Sequence, residues 1–238
     1  MTAYPPAMPH GELEEIFPDI FFLTGTTRPN FMGSDWQFSR NMTVVREGGA
    51  LTLINTVRLD DAGLTRLESL GTVANVVRLG AFHGMDDAFY RDRYAAKLWA
   101  ITNMDHDGGR ATDHELTAGG AMPFAGASLF TFDTSVKPEA ILHVDREGGI
   151  LISCDSLQNW VEADEYFSAD SAEKMKAYGF IAPANIGPGW RAANKPAASE
   201  FSRLKKLTFQ HLLPAHGKPL RNEAHVQLSA TFARELAV

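Results

Sequence analysis

Val76-Val77-Arg78-Leu79-Gly80-Ala81, followed by Phe82-His83-Gly84-Met85-Asp86-Asp87, is the stretch on which the reading of this chain turns. The segment from Asn75 to Ala81 is largely apolar and ends in Gly-Ala, the pattern of a strand running into a loop. The next six residues hold one imidazole and two carboxylates, side chains that ligate metals or move protons. Beyond them, Tyr90 and Tyr94 stand four apart, so a helix over 86–96 is expected to start at the loop itself. Polar residues between a strand and a helix are well placed to form a site.

Two further segments extend this frame. Asn41-Met42-Thr43-Val44-Val45 leads through Arg46-Glu47-Gly48-Gly49 into Ala50-Leu51-Thr52-Leu53-Ile54-Asn55, the form of a β-hairpin closed on glycine. One hundred positions later, Ile141-Leu142-His143-Val144-Asp145 leads through Arg146-Glu147-Gly148-Gly149 into Ile150-Leu151-Ile152-Ser153-Cys154-Asp155. The same four-residue turn recurs, and Asn55 and Asp155 fall at equivalent strand ends. Turn chemistry by itself also favours charged residues followed by glycine, so the repeat reads either as coincidence or as two similar halves.

Between the hairpins, Leu64, Leu67 and Leu70 form one stripe of an amphipathic helix with an acidic start and a stop at Gly71. Further strands are expected at 21–23, 98–101 and 129–132, and helices near 171–178, 198–207 and 222–236. Alternating strands and helices indicate an α/β protein. The stretches 103–122 and 182–196 read as loops able to shape a pocket, and the segment 29–33 as a possible pocket rim.

Composition narrows the function classes. The 238 residues suit a single domain; 45% are apolar and 21% charged, and no apolar run approaches the roughly 20 residues that cross a bilayer. A net charge of −7 without a basic tract argues against nucleic acid and favours a small-molecule substrate or ligand. The prolines and glutamates of residues 5–15 differ from a secretory signal, so a cytoplasmic location is expected. The single cysteine, Cys154, reads as a buried structural thiol.

The loop and the repeated hairpins resemble the metallo-β-lactamase superfamily, whose ligand loop reads His-x-His-x-Asp-His. The resemblance implies an α/β four-layer αβ/βα sandwich of two similar halves, one domain over 1–238. His83 takes the first loop position. Met85 stands where the second histidine would be, Asp87 matches the aspartate with Asp86 as the competing register, and Ala88 replaces the adjoining histidine. Asp155 resembles the aspartate that bridges two metals, and His216, followed by Gly217, the last histidine. A third histidine is expected near Phe132-Asp133-Thr134-Ser135, where there is none.

The resemblance thus implies His83, Asp87, Asp155 and His216 as ligands of one divalent ion, Zn, Fe or Mn, with His83 and Asp87 also as catalytic groups. It points to a metallohydrolase of small ester-like or lactone-like molecules. Loss of the histidine cage suits equally a metal-free, non-catalytic binding or scaffold protein, and redox chemistry at one iron is a third reading. His106 and His114 are expected to be exposed, and His143 and His211 structural. Ser156-Leu157-Gln158-Asn159-Trp160 is expected to line the site or form a surface turn.

Overall fold

Each Arg-Glu-Gly-Gly turn reverses the chain through backbone angles that glycine adopts without strain: Gly48 and Gly49 have φ of 55° and 83°, Gly148 and Gly149 of 81° and 101°. The carbonyl of Gly49 then accepts from Thr72 N at 2.9 Å, and that of Gly149 from Gln210 N at 2.9 Å. In both halves, therefore, the turn delivers its outgoing strand to the start of a parallel partner. The repeated tetrapeptide marks two structurally similar halves.

The computed structural model describes residues 4–31 and 33–238. In chain order the strands are β1 (Glu14–Phe17), β2 (Ile20–Thr27), β3 (Asn30–Phe31), β4 (Ser34–Asp35), β5 (Phe38–Glu47), β6 (Ala50–Ile54), β7 (Thr72–Arg78), β8 (Lys97–Ile101), β9 (His114–Leu116), β10 (Ala127–Thr131), β11 (Ala140–Val144), β12 (Ile150–Ser153), β13 (Leu157–Trp160), β14 (Ala182–Ile186) and β15 (His211–Pro214). The helices are α1 (Asp61–Leu70), α2 (Asp87–Tyr94), α3 (Ala169–Ala177), α4 (Pro188–Asn194), α5 (Ala198–Leu204) and α6 (Ala224–Leu236). One sheet has the order β1-β2-β5-β6-β7-β8-β9 and the other β10-β11-β12-β15, with β13 and β14 as a separate pair.

Three apolar layers hold these sheets and helices together. Ile20, Phe22 and Val45 of the first sheet meet Leu142, Val144, Ile150 and Ile152 of the second across the centre. The opposite face of the first sheet, including Phe21, Leu51 and Leu53, packs on Leu64, Leu67 and Leu70 of α1 and on Phe89 and Tyr90 of α2. Leu151 and Leu212 of the second sheet face Phe201 of α5 and Leu228 and Phe232 of α6. The order is helix, sheet, sheet, helix, the expected αβ/βα sandwich. Residues 20–23 are apolar in unbroken succession because both faces of β2 are covered, and each large side chain buried there contributes about 1.5–3 kcal/mol.

Two expected loops contain regular structure. The 182–196 stretch forms β14 and α4, with Pro188 in the first turn of the helix, where a missing N–H costs nothing. Residues 157–160 form β13, buried throughout, rather than a surface turn. The 103–122 stretch is mostly irregular, as expected, but adds β9 to the sheet edge. Residues 30–31 and 34–35 pair as a short hairpin, while Met32 of the proposed rim lies outside the described residues.

The glycine turns can be ranked by what a methyl group would meet. At Gly149 a Cβ would fall 2.3 Å from the Thr208 carbonyl oxygen, whereas at Gly48 it would meet nothing within 4 Å. Gly48→Ala is expected to cost about 1 kcal/mol, the left-handed penalty alone, and Gly149→Ala several times that, because backbone must move. Urea unfolding of the two variants measures the difference; equal costs would contradict this account of the turn.

Candidate metal centre

Strand direction brings three distant side chains to one end of the sandwich. Because β12 and β15 run parallel with Ser153 opposite Pro214, the residues just past their ends, Asp155 and His216, emerge side by side. β7 delivers the His83 loop to the same end from the other sheet. Two buried asparagines stitch the sheets there. Asn55 Nδ2 donates to Ser153 O at 2.9 Å, and Asn41 Nδ2 donates to Pro214 O at 2.9 Å and to Gly217 O at 2.6 Å. Both carbonyls at the ends of β12 and β15 are thereby satisfied inside the protein, as buried backbone requires.

His83 Nε2 lies 3.1 Å from His216 Nε2 and 3.4 Å from Asp155 Oδ2, and His216 Nε2 lies 3.2 Å from Asp155 Oδ1. His216 Nδ1 is 3.2 Å from the Ser39 carbonyl, which can only accept, so Nδ1 carries the hydrogen and Nε2 presents a lone pair. Nε2 and the Asp155 oxygen then confront each other as acceptors, and a cation must compensate them: a proton or a metal ion. Ligand atoms about 2.1 Å from a tetrahedral ion stand roughly 3.4 Å apart, and the three gaps here fall close to that spacing. The donor set fits a divalent metal.

The electrostatics agree. Burial disfavours the charged form of His83, outweighing the pull of Asp155, and its pKa is lowered. Burial would raise Asp155, but His83 and His216 outweigh it and hold the carboxyl well below the usual range. Neutral imidazole and ionised carboxylate are the forms that ligate metals. Trp160 packs on His216 with ring centres 4.8 Å apart, Phe38 at 5.9 Å, and both shield that side of the site.

Arg78 holds the His83 loop in place. Its guanidinium donates to Gly80 O at 3.3 Å, Ala81 O at 2.9 Å and Asp105 O at 2.7 Å. Gly84, at φ 101°, lies so close that a Cβ would sit 2.7 Å from Arg78 Nε. A charged residue inside the apolar run Val76-Val77-Arg78-Leu79 was the available sign of this role, because arginine is buried only where its donors are used.

The structure does not bring Asp87 to the other three predicted ligands. Its Oδ1 accepts from Thr56 Oγ1 at 2.6 Å, and among the described residues it has no hydrogen bond or ion pair with His83, Asp155 or His216. Asp86, the alternative register, pairs with Arg40 and accepts from Arg58 N at 2.8 Å. With no second and fourth histidine in the loop, the two aspartates serve local cations and donors instead. Gln158 and Asn159, in the segment expected to line the site or form a surface turn, are buried; Asn159 donates to Lys218 O and accepts from Ala184 N. His114 is exposed, whereas His106 is half-buried against Arg78 and Thr112. His211 and His143 bond to main-chain carbonyls, consistent with structural roles.

Burial raises Asp87 from 3.8 to about 6, against the opposing pull of Thr56 and Arg78. A raised carboxyl favours the folded state most below its unfolded pKa, and that contribution is lost as pH rises through the folded value. Asp87→Asn keeps the Thr56 bond and cannot ionise. Its stability relative to the parent is expected to improve between about pH 4 and pH 7, by at most ~3 kcal/mol, with metal content unchanged. Urea unfolding at both pH values, with elemental analysis, checks this; loss of metal would make Asp87 a ligand after all.

No protein-family model matches the chain, and no curated protein matches it in sequence. Solved structures do. DIM-1 metallo-β-lactamase exposed to ceftazidime superposes with a TM-score of 0.63 at 16% identity, covering 95% of this chain and 98% of its own. The metallo-β-lactamase FIM-1 from Pseudomonas aeruginosa in its mono-zinc form gives 0.62 at 14% identity, covering 98% of both chains. A metallo-β-lactamase from Hirschia baltica gives 0.59 at 14%, covering 94% of this chain and 98% of its own. Likeness at these identities speaks to architecture, and with the helix, sheet, sheet, helix order and the paired halves it shows that the chain has the metallo-β-lactamase fold.

Proposed function

We propose that the protein is a metal-dependent hydrolase of small ester-like or lactone-like molecules, with one divalent ion held by His83, Asp155 and His216. The observation that carries this is the confrontation of His216 Nε2 with Asp155 Oδ1 at 3.2 Å, two acceptors that need a cation. A bound divalent ion would supply a Lewis acid that activates water and polarises a carbonyl. The chain's own residues do the rest. Ser39 fixes the His216 tautomer, Trp160 and Phe38 keep solvent from one side, and Asp155 Oδ2, 3.4 Å from His83 Nε2, is an acceptor for a proton released in the reaction. Phe82 and Met85, about half exposed at 48% and 49%, flank His83 in sequence and offer apolar surface to a substrate's hydrocarbon part.

A second reading, a metal-free binding or scaffold protein, is favoured by the exposed Met85 and by Ala88 at positions where the resemblance implies histidines. Elemental analysis of untagged protein separates the two. The hydrolase reading expects close to one Zn, Fe or Mn per chain, lost in His216→Ala and in Asp155→Asn, with turnover of esters or lactones lost alongside. A chain that stays metal-free after incubation with each ion would support the binding reading.

A further inference from the structure

β14, α4 and the C-terminal end of α6 border an open cleft of about 510 Å³, a size that suits a small organic molecule. None of its lining residues belongs to the metal centre. Arg191 and Lys195 stand four apart on α4 and its C-cap, so the two cations share one face. Glu235 of α6 also lines the cleft, but its carboxylate is already used: Oε2 accepts from Arg191 Nη1 at 3.0 Å and Oε1 from Arg234 Nη2 at 3.1 Å. The Lys195 side chain has no hydrogen bond or ion pair among the described residues.

A second, independent feature lies on β14. Asn185 is 6% exposed and lines the same cleft; its Nδ2 donates to Gly179 O at 2.9 Å, which fixes the amide, and its Oδ1 has no hydrogen-bond partner among the described residues. A nearly buried acceptor left open at a cleft wall calls for a donor from a ligand. Ile186 and Pro188 add apolar wall. The lining charges of Arg191, Lys195 and Glu235 leave one positive charge uncompensated, which matches a monoanion. A zwitterion would bring an ammonium group for which no carboxylate is free. The cleft also touches the frame of the metal centre: Gly187, between Ile186 and Pro188, donates its N–H to Ser156 O at 3.1 Å, and a Cβ there would fall 1.9 Å from Asp155 O.

We propose that this cleft is a second ligand site, which takes a small hydroxycarboxylate: the carboxylate pairs with Lys195 beside Arg191, the hydroxyl donates to Asn185 Oδ1, and the short hydrocarbon part rests on Ile186 and Pro188. The site goes beyond the hydrolase reading, and binding to it requires neither metal nor turnover. That reading gives the site a use, because opening a lactone with water yields a hydroxycarboxylate. Bound at the strand end that packs on the Asp155 turn, such a molecule reports product to the metal centre.

Titration of the full chain with γ-hydroxybutyrate, followed by amide NMR, tests the site. Saturable shifts are expected at Asn185, Ile186, Arg191 and Lys195. Lys195→Gln, a change at an exposed side chain, is expected to weaken binding about tenfold or more, the loss of one charge-assisted contact, and Lys195→Arg to restore it. Butyrate, which lacks the hydroxyl, and γ-butyrolactone, which lacks the charge, are expected to bind more weakly than γ-hydroxybutyrate. His216→Ala is expected to bind as the parent does, and chelator-treated parent protein serves if that variant does not fold. No saturable shift at these residues, equal affinity in Lys195→Gln, or equal affinity for butyrate would overturn the proposal. Binding lost in His216→Ala or after chelation would place the carboxylate at the metal instead and overturn it too. Absence of turnover would count against the hydrolase reading alone.

Discussion

Two acceptor atoms facing each other across 3.2 Å, His216 Nε2 and Asp155 Oδ1, set the demand that the surrounding structure answers. In water such a contact would be resolved by turning a side chain or inserting a solvent molecule. Here His216 is fixed by Ser39, walled by Trp160 and Phe38, and tied through its backbone neighbours to Asn41. Asp155 is fixed by the end of β12, which Asn55 holds. The arrangement persists because the scaffold determines it from several directions, the condition under which a strained polar contact survives folding.

The two halves make that scaffold economical. Each contributes a glycine-closed hairpin, a parallel strand and a histidine beyond that strand's end, so His83 and His216 arrive from opposite sheets and meet at 3.1 Å. Asn55 and Asp155 occupy equivalent positions yet serve different ends. The asparagine spends its amide on the other sheet's main chain, and the aspartate spends its charge on the site. One half has become the brace and the other the donor.

Charge is partitioned around this centre with little overlap. Asp86 belongs to Arg40 and Asp87 to Thr56, while Arg78 is consumed by the carbonyls of the loop it supports. Asp155 faces two imidazoles, those of His83 and His216. Glu139 lies buried nearby, its carboxyl pushed upward by burial and by Asp155. This placement leaves one carboxylate facing the two histidines and turns the two loop aspartates to other partners.

Much of this was legible in the sequence. The repeated Arg-Glu-Gly-Gly turn, the alternation of strands and helices, and the positions of His83, Asp155 and His216 at strand ends follow from local chemistry: glycine for left-handed turns, apolar runs for buried strands, polar residues where strands stop. Tertiary structure decided the rest. The sequence could not say which carboxylate of Asp86 and Asp87 faces the histidines, and packing against Thr56, Arg40 and Arg58 sends both elsewhere. Nor could it say what surrounds Cys154, because the residue follows an ordinary apolar strand and its neighbours Glu139 and His83 are brought near only by folding. Local propensity determines which elements form and where they end; the identity of the atoms that meet across those ends is a property of the packed molecule.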